Sequence, residues 1–136
     1  MTEAMETLIA ELSSLVEKTE DDTLEMLHFG DLTHQQIHYL KTIAKLHNPT
    51  LSELAKSLRL TKPSVTVLVD KLVSKGYVRK VQSDADRRSL HLHLAEKGLA
   101  LNRAHRYAHE RFVAHIRSKL TSTESAILME LLKKLI

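Results

Sequence analysis

Residues 50–94 read TLSELAKSLRLTKPSVTVLVDKLVSKGYVRKVQSDADRRSLHLHL, and this stretch decides the fold. Thr50-Leu51-Ser52-Glu53 has the form of a capping box, in which the Thr hydroxyl takes the N–H three residues on and the Glu reaches back. It opens a short helix with Leu51, Leu54, Ala55 and Leu58 at i, i+3, i+4 and i+7. After Arg59-Leu60-Thr61 a second helix begins, and Pro63 suits its first turn, where a missing N–H is no loss. Val65, Leu68, Val69, Leu72 and Val73 form its apolar stripe, and Gly76 suits the residue just past its end. The period then changes. Tyr77 to Val81 is rich in β formers, and Leu90 to Leu94 alternates strictly, as a half-buried strand does. The polar run from Gln82 to Arg88 joins the two as the tip of a hairpin. Short helix, three-residue turn, longer helix and hairpin make a winged helix-turn-helix.

Such a unit suits duplex DNA. A helix fits the major groove with its N-terminal residues at base edges, and a basic hairpin tip reaches the neighbouring minor groove or phosphates. The candidates are Ser52 in the first helix, Lys62, Ser64, Thr66, Val67 and Lys71 on the outer face of the second, and Arg87 and Arg88 in the wing. Ser and Thr bond bases or phosphates, Lys pairs with phosphate or guanine, and Val67 is placed to pack on a thymine methyl. Winged helices also serve as protein-interaction modules, and pattern alone leaves that alternative open.

The flanks read as helices. Over residues 3–27, Met5, Leu8, Ile9, Leu12, Leu15 and Val16 recur at spacings of three and four, and Gly30 stops the segment. Thr33-His34-Gln35-Gln36 is a capping box for a helix carrying Ile37, Leu40, Ile43 and Ala44 inward, ended by Asn48-Pro49. Helical spacing returns from about Ala95 to Lys119, and Thr121-Ser122-Thr123-Glu124 opens a last helix with Ile127, Leu128, Leu131, Leu132 and Leu135. The expected class is mainly α with a small β-hairpin wing (α+β). Residues 1–31 form an N-terminal dimerisation helix, 32–94 the winged helix-turn-helix, and 95–136 the C-terminal dimerisation helices. The middle is small for an independent core, so a homodimer built from both ends is expected to supply the missing burial.

Composition excludes several classes. Aromatics are 4% of the 136 residues with no Trp, so the core is aliphatic. The absence of Cys removes disulfides, thiolate zinc sites and thiol redox sensing. No apolar run approaches membrane-spanning length, and Glu3 and Glu6 stand where a signal peptide carries Lys or Arg, so a cytoplasmic protein is expected. The net charge of +3 hides a split: residues 1–50 carry −6, residues 51–94 carry +5 and residues 95–136 carry +4. A basic middle raises the expectation of a polyanion partner.

The quoted segments, taken together, resemble the MarR (multiple antibiotic resistance regulator) family. The resemblance rests on Leu32-Thr33-x-x-Gln36, Leu51-Ser52-Glu53-Leu54-Ala55, Val65-Thr66-x-Leu68-Val69-Asp70-x-Leu72-x-x-x-Gly76-Tyr77-Val78, Asp86-Arg87-Arg88 and Leu94-Ala95-Glu96-Lys97-Gly98. It implies a homodimeric transcription regulator, a repressor, each of whose winged helices reads half of a near-palindromic operator in double-stranded DNA. It places Lys62, Ser64 and Thr66 at the start of the recognition helix and Arg88 in the minor groove. It gives Asp86 the role of orienting the wing arginines by an ion pair. The chain departs from the family at Val67, where Arg is common, and at Ala95, where Thr usually caps the helix. Asp84 at the wing tip adds repulsion toward phosphate.

Nine histidines form a second signal. His105 falls in the stripe of Leu101, Ala108, Phe112 and Ile116, with His109 one turn on at its edge. Imidazoles at i and i+4 can share a metal ion or simply sit partly buried. Zinc-sensing MarR members use a His after the Leu-Thr-x-x-Gln segment and a His-x-x-x-His pair; the resemblance places His38, His105 and His109 there, with Glu20 nearest the family's Glu. The family's Cys ligand is missing, Met26 standing nearest. No cofactor is required for the fold, and zinc as effector competes with a small apolar or phenolic ligand in the same cleft. His91 and His93 are expected on the outward face of the wing. A small metal-dependent enzyme is the remaining alternative, but the chain shows no Gly-rich phosphate loop, no His-Glu-x-x-His and no nucleophile beside a base, so no enzyme is expected.

Overall fold

The computed structural model describes residues 1–136. Its elements run α1 (Thr2–Met26), α2 (His34–Leu46), α3 (Leu51–Leu58), α4 (Lys62–Ser74), β1 (Val78–Gln82), β2 (Leu90–Leu94), α5 (Glu96–Lys119) and α6 (Ser122–Lys133). Threonine hydroxyls start α2, α3, α4 and α6: Thr33, Thr50, Thr61 and Thr121 each accept the N–H three residues on. The boxes at Thr33 and Thr121 are complete, with Gln36 and Glu124 returning to the cap N–H at 3.1 and 2.9 Å. The box at Thr50 is only half made. Glu53 accepts from the Thr50 hydroxyl at 3.1 Å, while the Thr50 backbone bridges His91 of β2. Together with the Leu92 N–H on the Pro49 carbonyl at 2.7 Å, that bridge adds a short third edge to the wing.

The chain divides into two compact units, one of Met1–Leu27 with Ala104–Ile136 and one of His28–Arg103. The division by role at 31/32 and 94/95 is a different cut. In the winged-helix unit, Leu40, Ile43, Leu54, Val65, Val69, Leu72, Tyr77 and Leu92 are fully buried. α4 ends in a Schellman motif: Gly76 adopts φ 85°, its N–H reaches the Val73 carbonyl, and the Tyr77 N–H reaches Leu72. Only a residue without Cβ takes that φ at no cost. β1 and β2 are antiparallel, in register from Val78↔Leu94 to Gln82↔Leu90. The strand begins at Val78 rather than Tyr77, whose N–H closes the helix instead. The alternation of β2 is realised at its centre, where Leu92 is buried while Leu90 is 40% exposed. His91 does not face solvent freely: its Nδ1 sits 2.8 Å from the Asn48 carbonyl, to which it donates.

α5 starts without a side-chain cap, as Ala95 implies; the Ala95 carbonyl takes the Leu99 N–H, and the Ala95 N–H binds the Tyr77 carbonyl at 2.9 Å. Gly98 makes this approach possible, because a Cβ there would lie 2.4 Å from the Tyr77 carbonyl oxygen.

The terminal unit has a thin core of Thr23, Leu24, Ala104, His105 and Ala108. The Thr23 hydroxyl donates to the Thr19 carbonyl and accepts from Arg111 at 2.8 Å. Met5, Leu8, Ile9 and Leu12 of α1, with Ile127, Leu131 and Leu132 of α6, are about half exposed or more. No helix is long and apolar enough to cross a membrane.

Candidate nucleic-acid interface

The first turns of α3 and α4 and the wing enclose an open cleft of about 270 Å³. Thr50, Leu51 and Ser52 form one wall, Lys62 another, and Arg88, Ser89 and Leu90 the third. Three of the residues singled out from sequence, Ser52, Lys62 and Arg88, thus line one concavity. The first N–H groups of a helix have no partner inside it and carry the positive end of its dipole, so the α3 wall favours an anion. No carboxylate lines the cleft.

The wing tip is shaped by Asp86, though not by the ion pair the resemblance implies. Its Oδ1 accepts the Arg88 backbone N–H at 3.0 Å and its Oδ2 the Ser89 hydroxyl at 3.4 Å. The Ser89 N–H returns to the Asp86 carbonyl at 3.0 Å, closing a tight turn. A short aspartate side chain bonds the backbone two residues on more readily than a long, solvated guanidinium. Arg87 and Arg88 are thereby presented on a fixed turn with exposed side chains.

On α4 the outer face is Lys62, Pro63, Ser64, Val67, Asp70 and Lys71, all exposed, while Thr66 is half-buried. The Ser64 and Thr61 hydroxyls lie 2.8 Å apart, and the Thr66 hydroxyl donates to the Lys62 carbonyl at 3.0 Å. Asp70 is held by Lys80 of β1 at 2.6 Å, which neutralises the acid on this face. Spacing had not revealed that pair, because its members lie on elements of different period.

Sequence reading also missed the polar cluster at the base of the winged helix. The Tyr77 hydroxyl donates to Asp31 Oδ1 at 2.9 Å, Lys75 Nζ binds the Asp31 carbonyl at 2.7 Å and Gln36 at 3.1 Å, and Lys97 lies 4.7 Å over the Tyr77 ring. Burial, then the Asp31 hydrogen bond and charge, push the Tyr77 phenol far above its ordinary range, so it remains a donor. The only signal in the sequence was a Tyr just after the helix-ending Gly76.

Among the candidate metal ligands, Glu20, His105 and His109 belong to the terminal unit. Glu20 Oε1 and His109 Nε2 are 3.4 Å apart, about the separation of two ligands on one tetrahedral zinc ion. His105 is 7% exposed, its ring centroid 6.5 Å from that of His109. Glu20 and His109 are thus one close pair, while the donor atoms of Glu20, His105 and His109 do not all come within 4.8 Å of one another. His38 lies on α2 of the winged-helix unit, exposed, its ring beside Tyr39.

The sequence profile of the MarR family matches residues 32–90. The transcriptional repressor MprA of Escherichia coli K12 is 32% identical over 90 residues, 66% of this chain and 51% of MprA, so the chain spans about half the length of that curated relative. Among solved structures, Streptococcus pneumoniae FabT in complex with DNA superposes with a TM-score of 0.73 at 30% identity, covering 98% of this chain and 93% of FabT. Wild-type Escherichia coli MarR in its apo form gives a TM-score of 0.65 at 27% identity, covering 96% and 95%. These relatives are regulators rather than enzymes, which sets aside the small metal enzyme. The chain belongs to the MarR family of winged-helix transcriptional regulators.

Proposed function

We propose that this protein is a homodimeric repressor, working in the cytoplasm, that binds double-stranded DNA with α4 in the major groove and the wing in the adjoining minor groove. The cleft shared by Ser52, Lys62 and Arg88 carries the reading. The phosphate backbone is the ridge between the two grooves, so a protein that enters both needs a positively charged trough between its recognition helix and its wing. FabT, the relative solved with DNA, supports the same partner. Ser52 and Lys62 grip the ridge, Ser64, Thr66, Val67 and Lys71 face the bases, and Arg87 and Arg88 follow the minor groove.

The second half of the proposal is association. The exposed aliphatic faces of α1 and α6 form an apolar surface of the kind that marks a protein interface. A second copy pairing these faces sets two winged helices on a near-palindromic operator. The test is DNA binding across a salt series, paired with equilibrium sedimentation. We expect affinity to fall steeply with salt and Lys62→Ala to lower the log–log slope by about 1. The absence of salt-dependent DNA binding would favour a protein-interaction module, and a stable monomer at micromolar concentration would sink the dimer.

The 3.4 Å approach of Glu20 to His109, one helical turn from His105, is the observation behind zinc as the effector in this reading. His105, His109 and Glu20 would hold the ion, and its charge would favour whichever subunit arrangement draws the three donors together. A ligand shifts DNA affinity only through its different affinity for two such arrangements. Zinc titration of the wild type and of His105→Ala is expected to show loss of one site. Equal zinc content in both, or DNA release only by a phenolic ligand, would remove zinc.

A further inference from the structure

We propose that Val67 reads a thymine methyl group near the centre of each DNA half-site by apolar contact; this rests on the reading of α4 as the major-groove helix. Val67 is 57% exposed, while Val65 and Val69 on either side of it are buried in the core. It stands in the middle of the outer face, three residues after Ser64 and four before Lys71. At about 1.5 Å per residue, Lys62 and Lys71 lie on the order of 13 Å apart along the helix, bracketing Val67 with one cation at each end.

Several polar groups flanking Val67 take partners within the protein. The Thr66 hydroxyl hydrogen goes to the Lys62 carbonyl, Ser64 shares a hydrogen bond with Thr61, and Asp70 is tied to Lys80. With its hydrogen used inside its own helix, the Thr66 hydroxyl has none to give the acceptors of the groove, phosphate oxygens, guanine O6 and N7 and adenine N7, and can only accept. At the middle of the face the exposed side chain is Val67, with its two methyl groups. The matching feature on the floor of the major groove is the C5-methyl of thymine, the one apolar group a base edge presents there. Contact there removes both apolar surfaces from water, whereas a cytosine or guanine would leave them facing polar groups.

Selection of duplexes from a random library by the full chain supplies the preferred site. Each thymine of that site is then replaced in turn by uracil, which removes the methyl and keeps the pairing edge, and affinities are compared for the wild type and Val67→Ala. Alanine is a better helix former than valine at an exposed position, so the variant folds. We expect uracil at one thymine per half-site to weaken wild-type binding about fourfold, the worth of burying one methyl-sized group, and to leave Val67→Ala unchanged. Uracil without effect at every position, or an equal penalty in both proteins, overturns the inference while leaving DNA binding intact. Enrichment of no sequence overturns the DNA reading itself and this inference with it.

Discussion

The winged-helix unit and the terminal unit are built from the same aliphatic residues and close them in opposite ways. In the first, Leu54, Val65, Leu72, Tyr77 and Leu92 have no exposed surface, because helices and hairpin meet at angles that surround them. In the second, Leu8 is 65% and Leu131 53% exposed, although both lie on stripes as regular as those of α4. Periodicity therefore says that a face is apolar and does not say what covers it. A unit that closes its own core is ready to fold alone; one that leaves its stripes open is ready to associate. In the proposed function the DNA-facing surface falls on the first and the pairing surface on the second.

Mutations in the two units should behave differently, and the largest effect belongs to the closed core. Leu72→Ala should lower unfolding free energy by about 2–5 kcal/mol, independently of protein concentration. A concentration-dependent loss in denaturant titrations would show that the winged helix does not stand by itself. Gly98→Ala should lose about 1–3 kcal/mol, since the new Cβ meets the Tyr77 carbonyl and α5 must shift from the wing. In the terminal unit, Leu12→Ala should weaken dimerisation by about 1.5 kcal/mol and leave the isolated subunit unchanged. Sedimentation equilibrium measures the first quantity, and an unaltered dimer would break the contrast between the units.

The smallest effects sharpen it. Thr121→Ala should lose about 1 kcal/mol by uncapping α6, measured by thermal unfolding. Glu124 completes that cap, and its hydrogen bonds to the Thr121 backbone and hydroxyl hold its carboxyl below the usual range. Its contribution is thus present above that range and fades as pH falls through the lowered value. Glu124→Gln should flatten this part of the pH profile. Tyr77 works in the opposite sense. Its raised pKa contributes stability that is complete below about pH 10 and is lost as pH rises beyond it. An absorbance titration of the three tyrosines should find one that ionises only as the protein unfolds. Three equivalent phenols would mean that the cluster with Asp31 is open in solution.

Much of the winged helix was legible because its signals are local. Capping threonines, Pro63 in a first turn, Gly76 past a helix end and a switch from helical to alternating spacing each act over a few residues. Those same signals placed Ser52, Lys62 and Arg88 on three successive elements, and the cleft between the elements is where they meet. What escaped were pairs distant in sequence. Asp70 with Lys80 joins a helix to a strand, and Asp31 with Tyr77 and His91 with Asn48 involve residues between elements, so no spacing rule predicts them. The resemblance implies an ion pair from Asp86 to the wing arginines, whereas the structure gives its carboxylate the Arg88 backbone N–H, a partner that carries no identity in the sequence.

By itself the sequence determined the helices, the hairpin, the polar outer face of α4 and the membership of the winged-helix class, since these follow from hydrogen bonding and burial within short windows. Only the tertiary structure decided which donors remain for a partner. The Tyr77 hydroxyl is taken by Asp31, Asp70 is neutralised across to the wing by Lys80, and Val67 is left 57% exposed. The reason is that a polar side chain has several partners in reach, and which one it takes depends on the elements brought beside it.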